Sequence, residues 1–242
     1  MSLLPNFLKY GELEYTHKKL GTQRVTRVLR EIGDPHLKYP AVLIGGTNGK
    51  GTVGRILESI LLQAGYPVGL YTSPHVERFN ERIRVGGAEE SDQELESALQ
   101  FFLDKGLLSE QGALRVPGEE ETLTWFEKTT VLAFEVFRRR KISLALLEVG
   151  LGARLDATNV VDPLVSVITS VSRDHTEVLG ESLFEIAREK SAVMRPGRPL
   201  ILGPMQRDVR TFLNKAARLA GAKPVTPEPG EGSVEDFHYG PL

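Results

Sequence analysis

One glycine-rich segment carries the residue types that point most directly to chemistry. It reads GGTNGKGT at residues 45–52 and follows a short apolar run at residues 41–44. A strand, a glycine turn and a helix N-terminus would place backbone N–H groups and a positive dipole end around an anion. Lys50 would add its charge to bound phosphates, and Thr52 would reach a magnesium ion. Because Gly51 separates Lys50 from Thr52, the strict P-loop spacing is not met, and a plain strand-to-helix turn is the alternative.

Polar side chains at three other predicted strand ends suit the same chemistry. They are Ser73 after residues 68–71, Glu148 at the end of residues 144–148, and His175 beyond residues 165–169. In an open parallel sheet, ligands bind outside the carboxyl ends of the strands. Glu148 is positioned like a carboxylate that binds the magnesium of a nucleotide. Taken singly, each has a plainer alternative: Glu148 as a solvated acid, Ser73 as a turn cap, His175 as a hydrogen-bonded loop histidine.

Short apolar runs alternate with segments of helical period, which predicts an α/β fold: a mostly parallel sheet with helices on both faces. Strands are predicted at residues 41–44, 68–71, 144–148, 165–169 and 200–202. Helices are predicted around residues 25–32, 53–64, 91–102, 124–139, 183–193 and 209–219. In the second helix the stripe that we expect to face the core is Val53, Ile56, Leu57, Ile60, Leu61 and Ala64.

Composition narrows the classes of partner and site. The chain has 242 residues, with 30 Lys and Arg against 32 Asp and Glu, so the net charge of −2 favours neither a nucleic-acid groove nor a membrane-binding arm. It contains no cysteine, which excludes disulfides, thiolate metal sites and a cysteine nucleophile within this sequence. The start lacks a signal-like apolar stretch and no run is long enough for a membrane span. We therefore expect a cytoplasmic monomer that binds small molecules, without nucleic acid or membrane.

Four longer segments form a more specific pattern than any single residue. They are GTNGKGT at 46–52, TSPHVERFNERI at 72–83, LEVGLGARLDATNVV at 147–161 and DHTEVLGESLFEIAREK at 174–190. In this order the segments resemble the folylpolyglutamate synthase family, including its bifunctional dihydrofolate synthase form, within the Mur ligase superfamily. The resemblance implies the P-loop NTPase-like fold of a Mur ligase central domain. It also implies a ligase that uses ATP to phosphorylate a carboxylate, after which the amine of L-glutamate attacks the acyl phosphate.

The resemblance further implies ATP and two magnesium ions as cofactors. The nucleotide phosphates would contact Asn48, Gly49, Lys50, Gly51 and Thr52. The metal-binding residues would be Thr52, Ser73, Glu148, His175 and Lys190. Lys190 matches a lysine that the family converts with carbon dioxide into a carbamate, an anionic oxygen ligand suited to a hard metal ion. Lys50, Glu148, His175 and Lys190 are accordingly the predicted catalytic residues.

A pocket for the pterin substrate, a reduced folate or dihydropteroate, also follows from the resemblance. Its residues would be Leu20, Gly21, Thr124, Trp125, Phe126, Glu127, Leu155, Asp156 and Ala157. Asp156 would recognise the ring, because a carboxylate accepts two parallel hydrogen bonds from an aminopyrimidinone edge. Phe126 would pack on the ring face, with a role as a core aromatic residue as its alternative.

The predicted domain organisation leaves two other functions open. Residues 1–222 would form the ATP-binding domain, with residues 1–40 as a helical substrate-binding element and residues 223–242 as a Pro/Gly-rich tail. We expect the family's C-terminal glutamate-binding domain to be absent. One alternative is another Mur-type amide ligase, which would share the phosphate and metal residues but not SPHVERFNER and RLDATN. The other is a nucleotide-binding module, fragment or paralogue without turnover.

Overall fold

One eight-stranded sheet organises the protein in the computed structural model, which describes residues 2–9 and 21–225. The strands are β1 Ala41–Gly45, β2 Val68–Tyr71, β3 Ile83–Val85, β4 Ala88–Glu89, β5 Leu144–Glu148, β6 Val165–Ile168, β7 Pro199–Leu202 and β8 Lys223–Val225. Their spatial order is β4-β3-β2-β5-β1-β6-β7-β8. Only the β2–β3 and β3–β4 pairs are antiparallel, so the predicted mostly parallel α/β sheet is confirmed.

The helices precede β1 or lie in the segments between successive strands. They are α1 Leu4–Lys9, α2 Gln23–Glu31, α3 Lys50–Gln63, α4 Asp92–Asp104, α5 Trp125–Arg139, α6 Thr176–Leu179, α7 Leu183–Ser191 and α8 Arg207–Leu219. Short 3-10 turns lie at Pro35–Leu37, Phe79–Arg82 and Ala157–Val160. Within the described residues, no helix combines the length and the apolar character needed to cross a membrane.

Helix α5 lies at the centre of the core, and the local sequence explains where it begins. Thr124 accepts a hydrogen bond from the Glu127 N–H, and the Glu127 carboxylate accepts one from the Thr124 N–H, so the two residues form a capping box. From Glu127 to Phe137 the helix is buried all round. The apolar stripe of α2, at Val25, Val28 and Leu29, is also fully buried, as its period predicts.

Helix α3 does not bury the face that its apolar period predicts. Ile56 and Ile60 are 54% and 56% exposed, whereas Gly54 and Glu58 are buried. Gly54 allows the helix to approach the sheet, since a Cβ there would lie 2.9 Å from Leu70 Cδ1. Glu58 is drawn inward by an ion pair of 3.2 Å with Arg84 on β3. The predicted core stripe of α3 is therefore wrong.

The ends of the chain need one correction. Residues 223–225 were predicted to begin the tail, but they form β8, which pairs in parallel with β7. A three-residue strand at the edge of a sheet carries too few side chains to show a period, and the same applies to β3 and β4. The rest of the predicted tail, residues 226–242, lies outside the described residues, as do residues 10–20.

The parallel register brings the carboxyl ends of four central strands to one edge. Ile44 on β1 is level with Glu148 on β5, and Gly45 is level with Ile168 on β6. Tyr71 on β2 is level with Leu147 on β5. The segments that follow these strands, where the predicted site residues lie, therefore meet at the same edge.

Candidate active site

The glycine-rich segment forms a turn between β1 and α3 that depends on two glycines. Gly49 has a φ of 80° and caps α3, which begins at Lys50. Gly46 has a φ of 142°, and a Cβ there would lie 1.9 Å from Thr169 Oγ1. Both positions favour glycine because other residues rarely adopt a positive φ. The start of α3 thus opens onto a loop of the kind that binds anions.

Hydroxyl groups from the segment after β6 hold this turn in place. The Thr47 N–H donates to the Ser170 carbonyl at 2.9 Å, and the Asn48 N–H donates to Ser170 Oγ at 3.0 Å. Thr169 Oγ1 donates to the Asn48 carbonyl at 2.7 Å. Motif reasoning missed this contribution, although the run TSVS at 169–172 was its signal in the sequence. The backbone of Asn48 is therefore part of the turn and is hydrogen-bonded to the 169–172 segment.

Two lysines contact the carbonyl groups of the turn. Lys50 Nζ donates to the Thr47 carbonyl at 3.1 Å, and Lys190 Nζ donates to the Gly46 carbonyl at 2.8 Å. Lys190 is only 4% exposed. Burial, followed by the nearby charge of Lys50, lowers its pKa to about 8, while Asp174 opposes this change. Two ammonium groups on one glycine turn create a positive site suited to a polyphosphate.

Glu148 lies over the first turn of α3. Its Oε2 accepts a hydrogen bond of 3.1 Å from the Ser73 N–H, and a Cβ on Gly51 would lie 3.3 Å from that same oxygen. Burial raises the pKa of Glu148, which is 5% exposed, while the Ser73 N–H and Lys50 oppose the rise. A cleft of about 350 Å³ is lined by Glu148, Ser73, Gly51 and Thr72 among others.

His175 lies exposed in the segment that follows β6. It follows β6 with a φ of 46° and its side chain is 53% exposed. Its ring nitrogens lie 3.8 Å from Asp174 Oδ1 and 3.7 Å from Glu177 Oε1. Across residues 2–9 and 21–225, no three side chains of His, Cys, Asp or Glu are grouped closely enough to hold a metal ion alone. The two-metal arrangement therefore stays a prediction.

The oxygen donors near the turn nevertheless fit magnesium, which prefers hard oxygen ligands and retains several waters. Glu148 offers a carboxylate beside Gly51, and Thr52 lies in the first turn of α3. The Ser73 N–H donates to Glu148, and the Ser73 side chain adds a hydroxyl. One carboxylate with hydroxyls, completed by nucleotide oxygens and water, is a usual magnesium environment in nucleotide sites.

Asp156, the predicted pterin ligand, is buried and hydrogen-bonded within its own loop. Its Oδ2 accepts from the Leu151 N–H at 3.0 Å, and its Oδ1 accepts from the Thr158 N–H at 2.9 Å and hydroxyl at 2.5 Å. Burial raises its pKa against these hydrogen bonds. The carboxylate therefore closes the 151–158 loop, and pterin recognition stays a prediction.

The first turn of α5 borders the same edge. The Phe126 ring covers Gly150, where a Cβ would lie 2.6 Å from Phe126 Cζ, and it lies 6.2 Å from the Tyr71 ring. Trp125 Nε1 donates to the Leu8 carbonyl at 2.7 Å. Glu127 pairs with Arg24 at 2.9 Å, besides capping α5 with Thr124. Phe126 is partly buried and packs against the core, as its alternative role predicts, and its contact with a pterin ring stays a prediction.

The remaining predicted pocket residues divide by their location. Gly21 and Leu155 are half-buried, whereas Ala157 is buried in the core. Leu20 lies outside the described residues. The structure therefore brings the α5 turn and the 151–158 loop to the carboxyl edge of the sheet.

The Mur ligase middle domain matches residues 44–199, which include the glycine turn, Glu148 and Lys190. The chain belongs to this family. The chain is 39% identical over 221 residues to the dihydrofolate synthase/folylpolyglutamate synthase of Haemophilus influenzae. That alignment covers 90% of this chain and 47% of the relative.

Two solved structures resemble the chain over most of its length. One is E. coli FolC in complex with DHPP and ADP, with a TM-score of 0.78 and 38% identity over 92% of this chain and 51% of that chain. The other is a bifunctional folylpolyglutamate synthase/dihydrofolate synthase with Mn, AMPPNP and L-glutamate bound, with a TM-score of 0.74 and 38% identity. The match covers 88% of this chain and 49% of that chain. The chain spans about half the length of these relatives.

Proposed function

We propose that this chain provides the ATP-binding and acceptor-binding part of a ligase that joins L-glutamate to a folate or dihydropteroate carboxylate through an acyl phosphate. The observation that carries the proposal is the meeting of Lys50, Lys190 and Glu148 with the first turn of α5 at one edge of the sheet. The names and bound molecules of the similar proteins support it.

On the nucleotide side, catalysis would come from position and charge. Phosphoryl transfer needs its negative charge neutralised and its partners aligned more than it needs covalent chemistry. Lys50 supplies fixed positive charge at the turn, and the start of α3 adds its dipole. Glu148, Ser73 and Thr52 would hold magnesium, which would supply further charge neutralisation for the phosphates.

On the acceptor side, the reaction explains why ATP is required. A carboxylate is a poor acyl donor, because oxide is a poor leaving group. Transfer of the terminal phosphoryl group to a carboxylate oxygen releases ADP and gives an acyl phosphate. Attack by the amine of glutamate then forms the amide and releases phosphate and a proton. The role of this chain is to hold the acceptor carboxylate in line with the nucleotide and to exclude water from the acyl phosphate.

We also infer that Lys190 is the carbamylated lysine of the resemblance. With a pKa of about 8, it has a larger neutral fraction at neutral pH than an ordinary lysine. The amine lone pair attacks the carbon of carbon dioxide, and the nitrogen releases one proton to water, leaving a carbamate. The new anion would lie beside Lys50, whose charge now opposes protonation of Lys190. A ¹³C carbamate signal with labelled bicarbonate, present in the native chain and absent in Lys190→Arg, would test this; identical spectra would contradict it.

ADP release tests the proposed function. With magnesium and ATP, we expect sustained ADP release only when an acceptor, either dihydropteroate or a reduced folate, and L-glutamate are both present, because the glutamate amine discharges the acyl phosphate. Muramyl-peptide acceptors should give no release, which separates a folate ligase from other Mur-type ligases. Tight binding of ATP without release for any acceptor would instead favour a nucleotide-binding module without turnover. Cytoplasmic location and a monomeric state stay predictions from the sequence.

A further inference from the structure

The loop that follows β2, residues 73–82, is held in one shape by its own side chains. The Glu81 carboxylate accepts hydrogen bonds from the N–H groups of Val76, Glu77 and Arg78 at 2.8, 2.7 and 2.7 Å. These three donors lower the pKa of Glu81 to about 2, so the carboxylate remains charged. At its start, the Ser73 N–H donates to Glu148. A rigid loop therefore begins on the acidic group of the nucleotide side.

The end of the same loop contacts the acceptor side through Arg82. This residue is only 7% exposed, and its Nε donates to His75 Nδ1 at 2.7 Å. Its guanidinium carbon lies 4.7 Å from the centre of the Trp125 ring, within the range of a cation–π contact. Arg82 also acts electrostatically on Glu148, whose carboxylate its charge favours. One buried guanidinium thus lies among His75, Trp125 and Glu148.

The Trp125 ring is held on its other sides as well. Its indole N–H donates to the Leu8 carbonyl at 2.7 Å, and the edge of Phe79 meets it at 90° with the ring centres 6.0 Å apart. The His75 ring lies 6.5 Å away and is tilted. Trp125 remains half-buried, so part of its surface is available to a ligand. Arg82 supplies the contact that joins this aromatic group to the 73–82 loop.

We propose that Arg82 is a positioning residue that sets the place of His75 and the Trp125 ring relative to Glu148, and so aligns the acceptor with the nucleotide. The inference rests on the proposed function, since it makes Trp125 part of the acceptor site. Lysine would keep the charge of Arg82 but lose both the planar face against Trp125 and the Nε–H donor to His75. Charge alone is therefore insufficient for the role.

Variants of Arg82 and His75 test the proposal without requiring turnover. Affinity for dihydropteroate and for ADP with magnesium is measured by calorimetry in Arg82→Lys and Arg82→Met. We expect about a tenfold loss for dihydropteroate in both variants and less than about a twofold change for ADP. Arg78→Lys is the matched control, because Arg78 belongs to the same loop but is largely exposed and should change neither affinity.

His75 provides a second test that avoids emptying a buried site. His75→Gln retains an acceptor for the Arg82 Nε–H, whereas His75→Leu removes it. We expect His75→Leu to weaken dihydropteroate binding as Arg82→Lys does, and His75→Gln to restore it. Trp125 is the only tryptophan of the sequence, so its emission reports the ring environment directly. The emission should shift in Arg82→Lys, Arg82→Met and His75→Leu, but not in Arg78→Lys.

The possible outcomes separate this inference from the proposed function. If the unmodified chain binds neither dihydropteroate nor a reduced folate, the proposed function fails and the inference fails with it. If the unmodified chain binds an acceptor and Arg82→Lys, Arg82→Met and His75→Leu bind it equally well, the positioning role is overturned alone. Equal weakening of ADP and acceptor by the Arg82 variants, with His75→Gln no better than His75→Leu, also overturns it, because a structural role would suffice.

Discussion

The two sides of the candidate site are built in different ways. The nucleotide side, residues 46–52 with residues 169–172, consists mainly of backbone groups and hydroxyls that hydrogen-bond to one another. The acceptor side, residues 73–82, 124–127 and 151–158, consists of buried charged and aromatic side chains. The nucleotide side therefore depends on its glycines. The acceptor side depends on the exact shape of its side chains, so that a substitution that preserves only the charge should not be tolerated there.

Glu148 joins the two sides, and we expect its change to have the largest effect. Glu148→Gln keeps the shape and one acceptor for the Ser73 N–H but removes the charge for magnesium. Turnover should fall by about a thousandfold, equivalent to about 4 kcal/mol in the barrier. Circular dichroism should remain that of the unmodified chain. Activity within about threefold of the unmodified chain would remove Glu148 from the metal site.

Gly46→Ala tests the nucleotide side. The new Cβ would meet Thr169 Oγ1 at 1.9 Å and the Thr169 backbone N at 3.0 Å, at a φ of 142°. We expect a loss of about 3 kcal/mol in the free energy of unfolding, together with loss of ADP binding. Gly65→Ala is the control, since Gly65 has a φ of 83° but open space, and should cost about 1 kcal/mol. Equal losses in the two variants would show that the Thr169 contact has no special importance.

Asp156→Asn tests the acceptor side. The amide would point an N–H at the Leu151 N–H, leaving a buried donor unsatisfied at a cost of about 1–3 kcal/mol. We expect dihydropteroate binding to weaken as well. Thr158→Val removes one hydrogen bond to the same carboxylate and should reduce stability while keeping the acceptor affinity. If Thr158→Val reduces acceptor binding as much as Asp156→Asn does, the carboxylate is only a loop-closing group.

Substitution of Lys190 should give the smallest effect, which is a change in how folding stability depends on pH. Its pKa is about 8 in the folded chain against an ordinary 10.5, so between these values the unfolded chain binds more protons. Folding stability should therefore rise with pH in that window, by up to about 1.4 kcal/mol per pH unit from this group. In buffer free of carbon dioxide and bicarbonate, where Lys190 is the free amine, Lys190→Met should be more stable than the unmodified chain at pH 7 and should lose that slope. If the unfolding free energies of the unmodified chain and of Lys190→Met change in parallel from pH 7 to 10, the lowered pKa of Lys190 is contradicted.

The contrast between the two sides also explains what the sequence could predict. The glycine turn is continuous in the chain, so residues 46–52 revealed the nucleotide side, and the strands before Ser73 and Glu148 were found within one residue. Arg82 and Trp125 lie far apart in the sequence, and only folding shows that they touch. The wrong core face of α3 has a similar cause. The ion pair from Glu58 to the distant Arg84 decides which face turns inward, and it leaves Ile56 and Ile60 exposed.

Trapping of the acyl phosphate tests the central claim most directly, since glutamate is not needed for it. Hydroxylamine converts an acyl phosphate into a stable hydroxamate. With magnesium, ATP and dihydropteroate, we predict a dihydropteroyl hydroxamate and an equal amount of ADP, and neither product in Glu148→Gln. ADP formation without the hydroxamate, or hydroxamate formation that persists in Glu148→Gln, would contradict it.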